Sequence, residues 1–141
     1  MDSLIIAARE DSPGFNLDVE NGIFEITGES RPENVQGFYK PVMEWMDKFQ
    51  KYVYWLKNQF PDKEPRKIDF HFKLDYFNST SAKYILSILN TLDEINQQTH
   101  SVTIHWHYEE MDEDILKTGE AFEEVLKIRF NYVLIPSVQD T

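Results

Sequence analysis

Short stretches in which apolar and polar residues alternate predict most of the strands in this chain. These stretches cover residues 15–19, 23–27, 68–76 and 101–107, and a last short β-prone stretch covers 130–135. Asn21 and Gly22 separate the first two stretches, and Asn-Gly is typical of the tight turn of a β-hairpin. We therefore predict an antiparallel hairpin that is followed by further single strands.

Between the later strands, apolar residues recur every three or four positions, which is the period of an amphipathic helix. Such segments run from about residue 38 to 58, from 82 to 98, and onward from three acids at 112–114 that suit a helix N-terminus. Pro41 is expected in the first turn of the first helix or at a kink. The order β-β-α-β-α-β-α-β predicts an α/β (α+β) fold, with three helices and a mixed sheet of about five strands. The crossovers should be right-handed and join parallel strands, with the helices on one face; coverage of both faces stays open.

A run of hydroxyl and amide residues lies where the strand at 68–76 ends and the second helix begins. Residues 78–81 read NSTS. The first turn of a helix leaves backbone N–H groups unpaired, so such residues commonly cap the helix. The same groups also attract a phosphate, and Lys83 follows Ser79 by four positions on the same helical face. These residues alone leave both a plain cap and a phosphorylation site open.

Composition narrows the classes of partner. The chain has 141 residues, 41% of them hydrophobic, and we expect a single domain over 1–141 with an ordered core of about 14–135. The net charge of -11 argues against nucleic acid and anionic membranes as partners. There is no cysteine and no apolar run of membrane-spanning length, so we expect a cytoplasmic protein without disulfides.

The predicted fold resembles that of the STAS or SpoIIAA-like anti-sigma-factor antagonists, which also place a phosphorylatable Ser or Thr at a strand-to-helix junction. Three motifs point to a narrower family. They are residues 28–34 (GESRPEN) with 38–42 (FYKPV) and Trp45; residues 76–83 (YFNSTSAK); and residues 106–110 (WHYEE) with 112–114 (DED) and Gly119-Glu120. In this order and spacing they resemble the signatures of the SiaC-like regulatory phosphoproteins of bacteria.

That resemblance implies a regulatory switch and not an enzyme, with no cofactor and no metal. Its implied partners are a protein kinase, a PP2C-type phosphatase and a diguanylate cyclase, which the unphosphorylated form binds and activates to promote biofilm formation. In the family, the phosphoacceptor is the residue directly after the Asn of the second motif, and that residue is Ser79 here. Thr80 is the alternative phosphoacceptor, because it follows Ser79 immediately. We expect the side chains that contact phosphate or a partner to be Tyr76, Asn78, Ser81 and Lys83.

Two other functions stay open on the sequence. A related module of this type would bind an anti-sigma factor or another kinase-like protein. More distantly, His105 and His107 lie on one face of a strand and would serve a metal-dependent enzyme, although a metal needs three or four converging ligands. We expect Trp45, Phe49 and Tyr52 in the core. The remaining aromatic residues, Tyr39, Tyr54 and Trp55, are expected to form a partner-binding patch.

Overall fold

A computed structural model describes residues 1–137 and contains six strands and three helices. The strands are β1 (Leu4–Ile6), β2 (Gly14–Asp18), β3 (Ile23–Ser30), β4 (Ile68–Phe77), β5 (Val102–Glu109) and β6 (Phe130–Ile135). The helices are α1 (Val35–Gln59), α2 (Ser79–Thr99) and α3 (Glu113–Glu124). This confirms the predicted mixed α/β fold and the order of its elements.

All six strands form one sheet in the order of the chain, β1-β2-β3-β4-β5-β6. The pairs β1–β2 and β2–β3 are antiparallel, whereas β3 to β6 run parallel. The sixth strand, β1, was not predicted, because three consecutive apolar residues carry no alternation. It is recognised only through its pairing with β2, in which Ile5 lies opposite Asn16.

The helices cover one face of the sheet, as expected. Each crossover moves the chain by one strand in the same direction, so crossovers of one hand place α1, α2 and α3 on the same side. On β4, Phe70 and Phe72 point to this face and are fully buried, whereas Asp69 and His71 point to the opposite face. The parallel register continues the buried rows into β3 and β5, for example through Phe24, Phe70 and Ile104.

Helix α1 begins before the predicted start, at Val35. The side-chain oxygen of Asn34 accepts from the N–H of Gly37 at 3.1 Å and caps the helix. Pro41 therefore lies inside the helix and beyond its first turn, so the expectation of a place in the first turn is wrong, while a kink at Pro41 stays a prediction. The helix continues to Gln59. Trp45 and Phe49 lie in the core as predicted, while Tyr52 is only partly buried.

Trp106 on β5 anchors the packing of α3. Its indole is almost fully buried, and Nε1 donates to the backbone oxygen of Ile115 at 2.9 Å. A second buried contact holds the loop after α3, where the carboxylate of Asp93 accepts from the N–H groups of Lys127 and Ile128. These contacts fix α3, and with it the loop that joins β5 to α3.

Candidate functional site

Three strand-to-helix junctions meet at one edge of the sheet. Because β3, β4 and β5 are parallel, their carboxyl ends lie side by side, and each leads directly into a helix. The junctions are residues 31–34 before α1, Asn78 before α2, and 110–112 before α3. Each of the three sequence motifs spans one junction. In parallel α/β sheets this edge is the usual place for a binding site, and we call it the carboxyl edge.

Ser79 is the first residue of α2 and is exposed at this edge. The preceding Asn78 is the helix cap: its Oδ1 accepts from the N–H of Ser81 at 2.9 Å and from Oγ1 of Thr80 at 3.0 Å. Within residues 1–137 no hydrogen bond engages the Ser79 hydroxyl. The cap and the exposed hydroxyl are therefore neighbouring residues with separate roles.

Ser81 lies in the interior, which corrects the expectation that it contacts a phosphate or a partner. Its side chain is fully buried and accepts from Ser30 Oγ at 2.8 Å. Ser30 Oγ in turn lies 2.6 Å from the hydroxyl of Tyr39. Since the single Ser30 proton goes to Ser81, the Tyr39 hydroxyl donates to Ser30. The resulting chain of hydroxyls joins β3, α1 and α2 beneath the exposed junction.

Tyr39 was expected at the surface, as part of a partner-binding patch with Tyr54 and Trp55. It is fully buried, and burial raises the pKa of its hydroxyl to about 12, so the group remains a donor at neutral pH. The ring stacks on Tyr84 at 4.8 Å, which fixes its position between α1 and α2. The sequence does not reveal this role, because an aromatic residue near a helix start has the same local pattern whether it faces solvent or the core.

Charged residues of both signs lie four positions from Ser79 along the chain. Lys83 and Asp75 are exposed, and Tyr76 is 48% exposed. The backbone N–H of Asn78 donates to the backbone oxygen of Ser30 at 3.1 Å and ties the junction to β3. Of the predicted residues, the structure thus leaves Tyr76, Ser79 and Lys83 exposed and Asn78 half-buried, and it places Ser81 in the interior.

A family model described as "SiaC family regulatory phosphoprotein" matches residues 6–135. The chain belongs to the SiaC family. The match spans all three junctions of the carboxyl edge and therefore confirms the resemblance that the three motifs indicated.

Known proteins of Pseudomonas aeruginosa are similar to this SiaC-family chain. An uncharacterised protein of strain UCBPP-PA14 is 27% identical over 124 residues, which cover 88% of this chain and 90% of that protein. The structure of SiaC has a TM-score of 0.73 at 25% identity, over 97% of this chain and 100% of that one. A chain in the crystal structure of the diguanylate cyclase SiaD in complex with its activator SiaC has a TM-score of 0.74 at 25% identity, over 95% and 99%. These likenesses extend over nearly the whole of each chain.

Three of the four histidines of this SiaC-family protein, His71, His105 and His107, form a row on the sheet face that the helices leave open. The rings of His71 and His105 stack at 4.4 Å, and Nδ1 of His71 lies 2.9 Å from Nε2 of His107. His105 also contacts Asp69 and Asn131 through its two ring nitrogens. No group of three or more His, Asp or Glu side chains in residues 1–137 is arranged to hold a metal ion.

Burial lowers the pKa of His107 to about 4, and the neighbouring His71 adds to the shift. The pKa of His71 is lowered as well, first by burial and then by His105. The imidazoles of His71 and His107 are therefore neutral at pH 7, and one of them donates its ring N–H to the other. Within the part of the chain that the structure describes, no helix has the length and apolar character needed to cross a bilayer.

Proposed function

We propose that reversible phosphorylation of Ser79 switches the binding of this protein to a diguanylate cyclase, which the unphosphorylated form activates. The protein acts through this contact and not through catalysis of its own. Membership of a family of regulatory phosphoproteins supports the proposal, as does the likeness to SiaC, the activator of SiaD. The observation that carries it is the exposed Ser79 hydroxyl at the N-terminus of α2, within the second family motif.

The contacts at the junction favour Ser79 over Thr80 as the phosphoacceptor. The Thr80 hydroxyl already donates to Oδ1 of Asn78, the atom that also caps α2. Phosphorylation of Thr80 removes that proton and places a dianion beside the cap oxygen. The Ser79 hydroxyl has no such contact among residues 1–137, and a kinase reaches it without disturbing the cap.

The local electrostatics suit a phosphate that is tolerated but not strongly held. Phosphorylation adds a charge of about -1.5 to -2 at neutral pH. The unpaired N–H groups of the first turn and Lys83 attract this charge. Asp75, also exposed, and the net charge of -11 oppose it. A phosphate that is held weakly by its own protein remains accessible to a phosphatase.

The same charge explains how phosphorylation prevents docking. A partner that covers the carboxyl edge must remove water from Ser79, and removing water from a dianion costs several kcal/mol unless new cations replace it. The unmodified hydroxyl has a much smaller desolvation cost. We therefore assign the active state to the unphosphorylated form, with a protein kinase and a PP2C-type phosphatase as the enzymes that set its population.

The test compares two substitutions of Ser79 with a matched change at Thr80. Affinity for a diguanylate cyclase from the same cells is measured by calorimetry, and cyclic di-GMP synthesis by chromatography. Ser79→Ala is expected to bind and activate whether or not a kinase and ATP are present. Ser79→Asp is expected to weaken binding at least tenfold, and Thr80→Ala should keep its response to the kinase.

Peptide mass spectrometry of the protein from its native cells locates the phosphate directly. Equal cyclase affinity of Ser79→Ala and Ser79→Asp, or phosphate found on Thr80 alone, would overturn the assignment of Ser79. Binding to an anti-sigma factor in place of the cyclase would favour the related partner-switching module instead.

A further inference from the structure

A second concave site lies at the opposite edge of the sheet, where the parallel strands begin. It has a volume of about 270 Å³ and opens between the last turns of α1 and the starts of β3 and β4. The buried rings of Phe24 and Phe49 and the side chain of Ile68 form its floor. Val53 and Leu56 of α1 line its wall. This cavity, which we call the amino-edge pocket, is just below the usual size range of small-molecule sites and has their apolar lining.

The mouth of the amino-edge pocket is cationic, in contrast to the rest of the chain. Lys57, Lys63, Arg66 and Lys67 line it, and Glu64 is the only acid among the lining residues. The whole chain has 25 acidic residues and 14 Lys and Arg. Within residues 1–137 none of these four cations forms an ion pair with a carboxylate.

Two of these cations hold the pocket in shape and two remain for a ligand. Lys57 donates to the backbone oxygen of Gln98, and Arg66 donates to the backbone oxygens of Val19 and Glu20. Lys63 Nζ lies 4.9 Å from the centre of the Phe60 ring at the mouth, without a hydrogen-bond partner among the described residues.

Lys67 is exposed and likewise without a partner in the part of the chain that the structure describes. The free positive charge is thus concentrated beside the apolar opening.

We propose that the amino-edge pocket binds a small amphipathic anion, with its apolar body inside and its carboxylate at Lys63 and Lys67. A medium-chain fatty acid and an aromatic carboxylic acid share this chemistry. Burial of the apolar body supplies most of the affinity, and the two lysines select for the charge. The pocket lies at the edge of the sheet opposite Ser79, so the proposal does not depend on the proposed phosphorylation switch.

In the first experiment the purified full chain is titrated with octanoate, benzoate, octanol and acetate. Binding is measured by calorimetry and by the shifts of amide NMR signals. Octanoate or benzoate is expected to saturate one site, with the largest shifts at Val53, Leu56 and Ile68. Octanol has the same apolar chain without the charge and should bind at least fivefold more weakly than octanoate, and acetate should not bind. The stronger of the two acids identifies the apolar body as aliphatic or aromatic.

The second experiment separates the pocket from general attraction between charges. The double variant Lys63→Gln/Lys67→Gln should weaken octanoate binding about fivefold, the effect of two partly screened charges, and leave octanol unchanged. Lys40→Gln/Lys48→Gln has the same change in net charge at exposed positions of α1 outside the pocket and should bind octanoate normally.

Several results would overturn the proposal. They are equal loss of affinity in both double variants, equal binding of octanol and octanoate, shifts centred elsewhere, and no saturable binding of either acid. A loss of octanoate binding on Leu56→Trp, which fills the pocket, with unchanged cyclic di-GMP activation, would support a site that is separate from the carboxyl edge.

Discussion

Replacing Gly119 by alanine is expected to destabilise the protein, although alanine is the better helix former. Gly119 lies inside α3 and is buried against Trp106. A Cβ at this position would lie 2.5 Å from Nε1 of the indole and 2.7 Å from Cδ1 and Cε2. Non-bonded heavy atoms prefer separations of about 3.5–4.0 Å, so the helix and the ring must move apart by about 1 Å.

The indole has no room to move away. Its ring centre lies 5.6 Å from that of Phe72 and 5.9 Å from those of Phe122 and Phe130, and its Nε1 donates to Ile115. Overpacking in a tight core costs about 1–3 kcal/mol, and we take the upper value because the contact is made with a rigid ring. Alanine regains about 1 kcal/mol of helix propensity. The net loss is therefore about 2 kcal/mol in the free energy of unfolding.

Urea denaturation followed by circular dichroism measures this loss, and a thermal scan should show a melting temperature lower by roughly 6 °C. Gly37→Ala is the matched control, since the three atoms nearest to its Cβ all belong to the exposed side chain of Asn34. There the gain in propensity offsets a weakened cap, and the change should stay within about 1 kcal/mol. In a Trp106→Phe background, Gly119→Ala should cost less, because the smaller ring makes room. A Gly119→Ala protein as stable as the parent would refute this account of the α3 contact.

Three further substitutions test the hydroxyl chain, the cap and the histidine row. Tyr39→Phe should lower the unfolding free energy by about 1–2 kcal/mol because a buried donor to Ser30 is lost, while Tyr84→Phe at the stacked ring should change it little. Asn78→Ala should cost about 1 kcal/mol, and Asn78→Ser should recover most of it, since Ser is also a good cap; equal stability of the two would argue against capping. Folding lowers the pKa of His107 from 6.5 to about 4, so the unfolded chain binds more protons between these values. Stability should therefore fall as the pH drops from 6.5 to 4 and level off below 4; solvent screening at this partly exposed ring keeps the loss on the order of 1 kcal/mol. Urea titration of a His107→Gln protein at each pH should show a weaker dependence of the unfolding free energy on pH. A pH dependence equal to that of the parent would contradict the role of His107.

Local patterns along the chain were sufficient to predict the order of the elements from β2 to β6 and the position of Ser79 between β4 and α2. The alternation at 68–76 and the helical period after it placed a strand end next to a helix start, and hydroxyl residues at such a junction have only a few roles. The same residues leave open whether a hydroxyl there faces solvent or the core. For Ser79 and Ser81, two positions apart at one helix start, the structure gives opposite answers.

The sequence by itself determined what each segment from β2 onward forms, because the period of apolar residues reflects which side of a helix or strand is buried. Tertiary structure alone decided which distant residues meet. Ser81 is buried because Ser30 and Tyr39 approach it from β3 and α1, and β1 forms because β2 offers an unpaired edge. The amino-edge pocket likewise exists only where α1 ends beside the starts of two strands. Such contacts depend on the packing of segments that are far apart along the chain, and no local pattern records them.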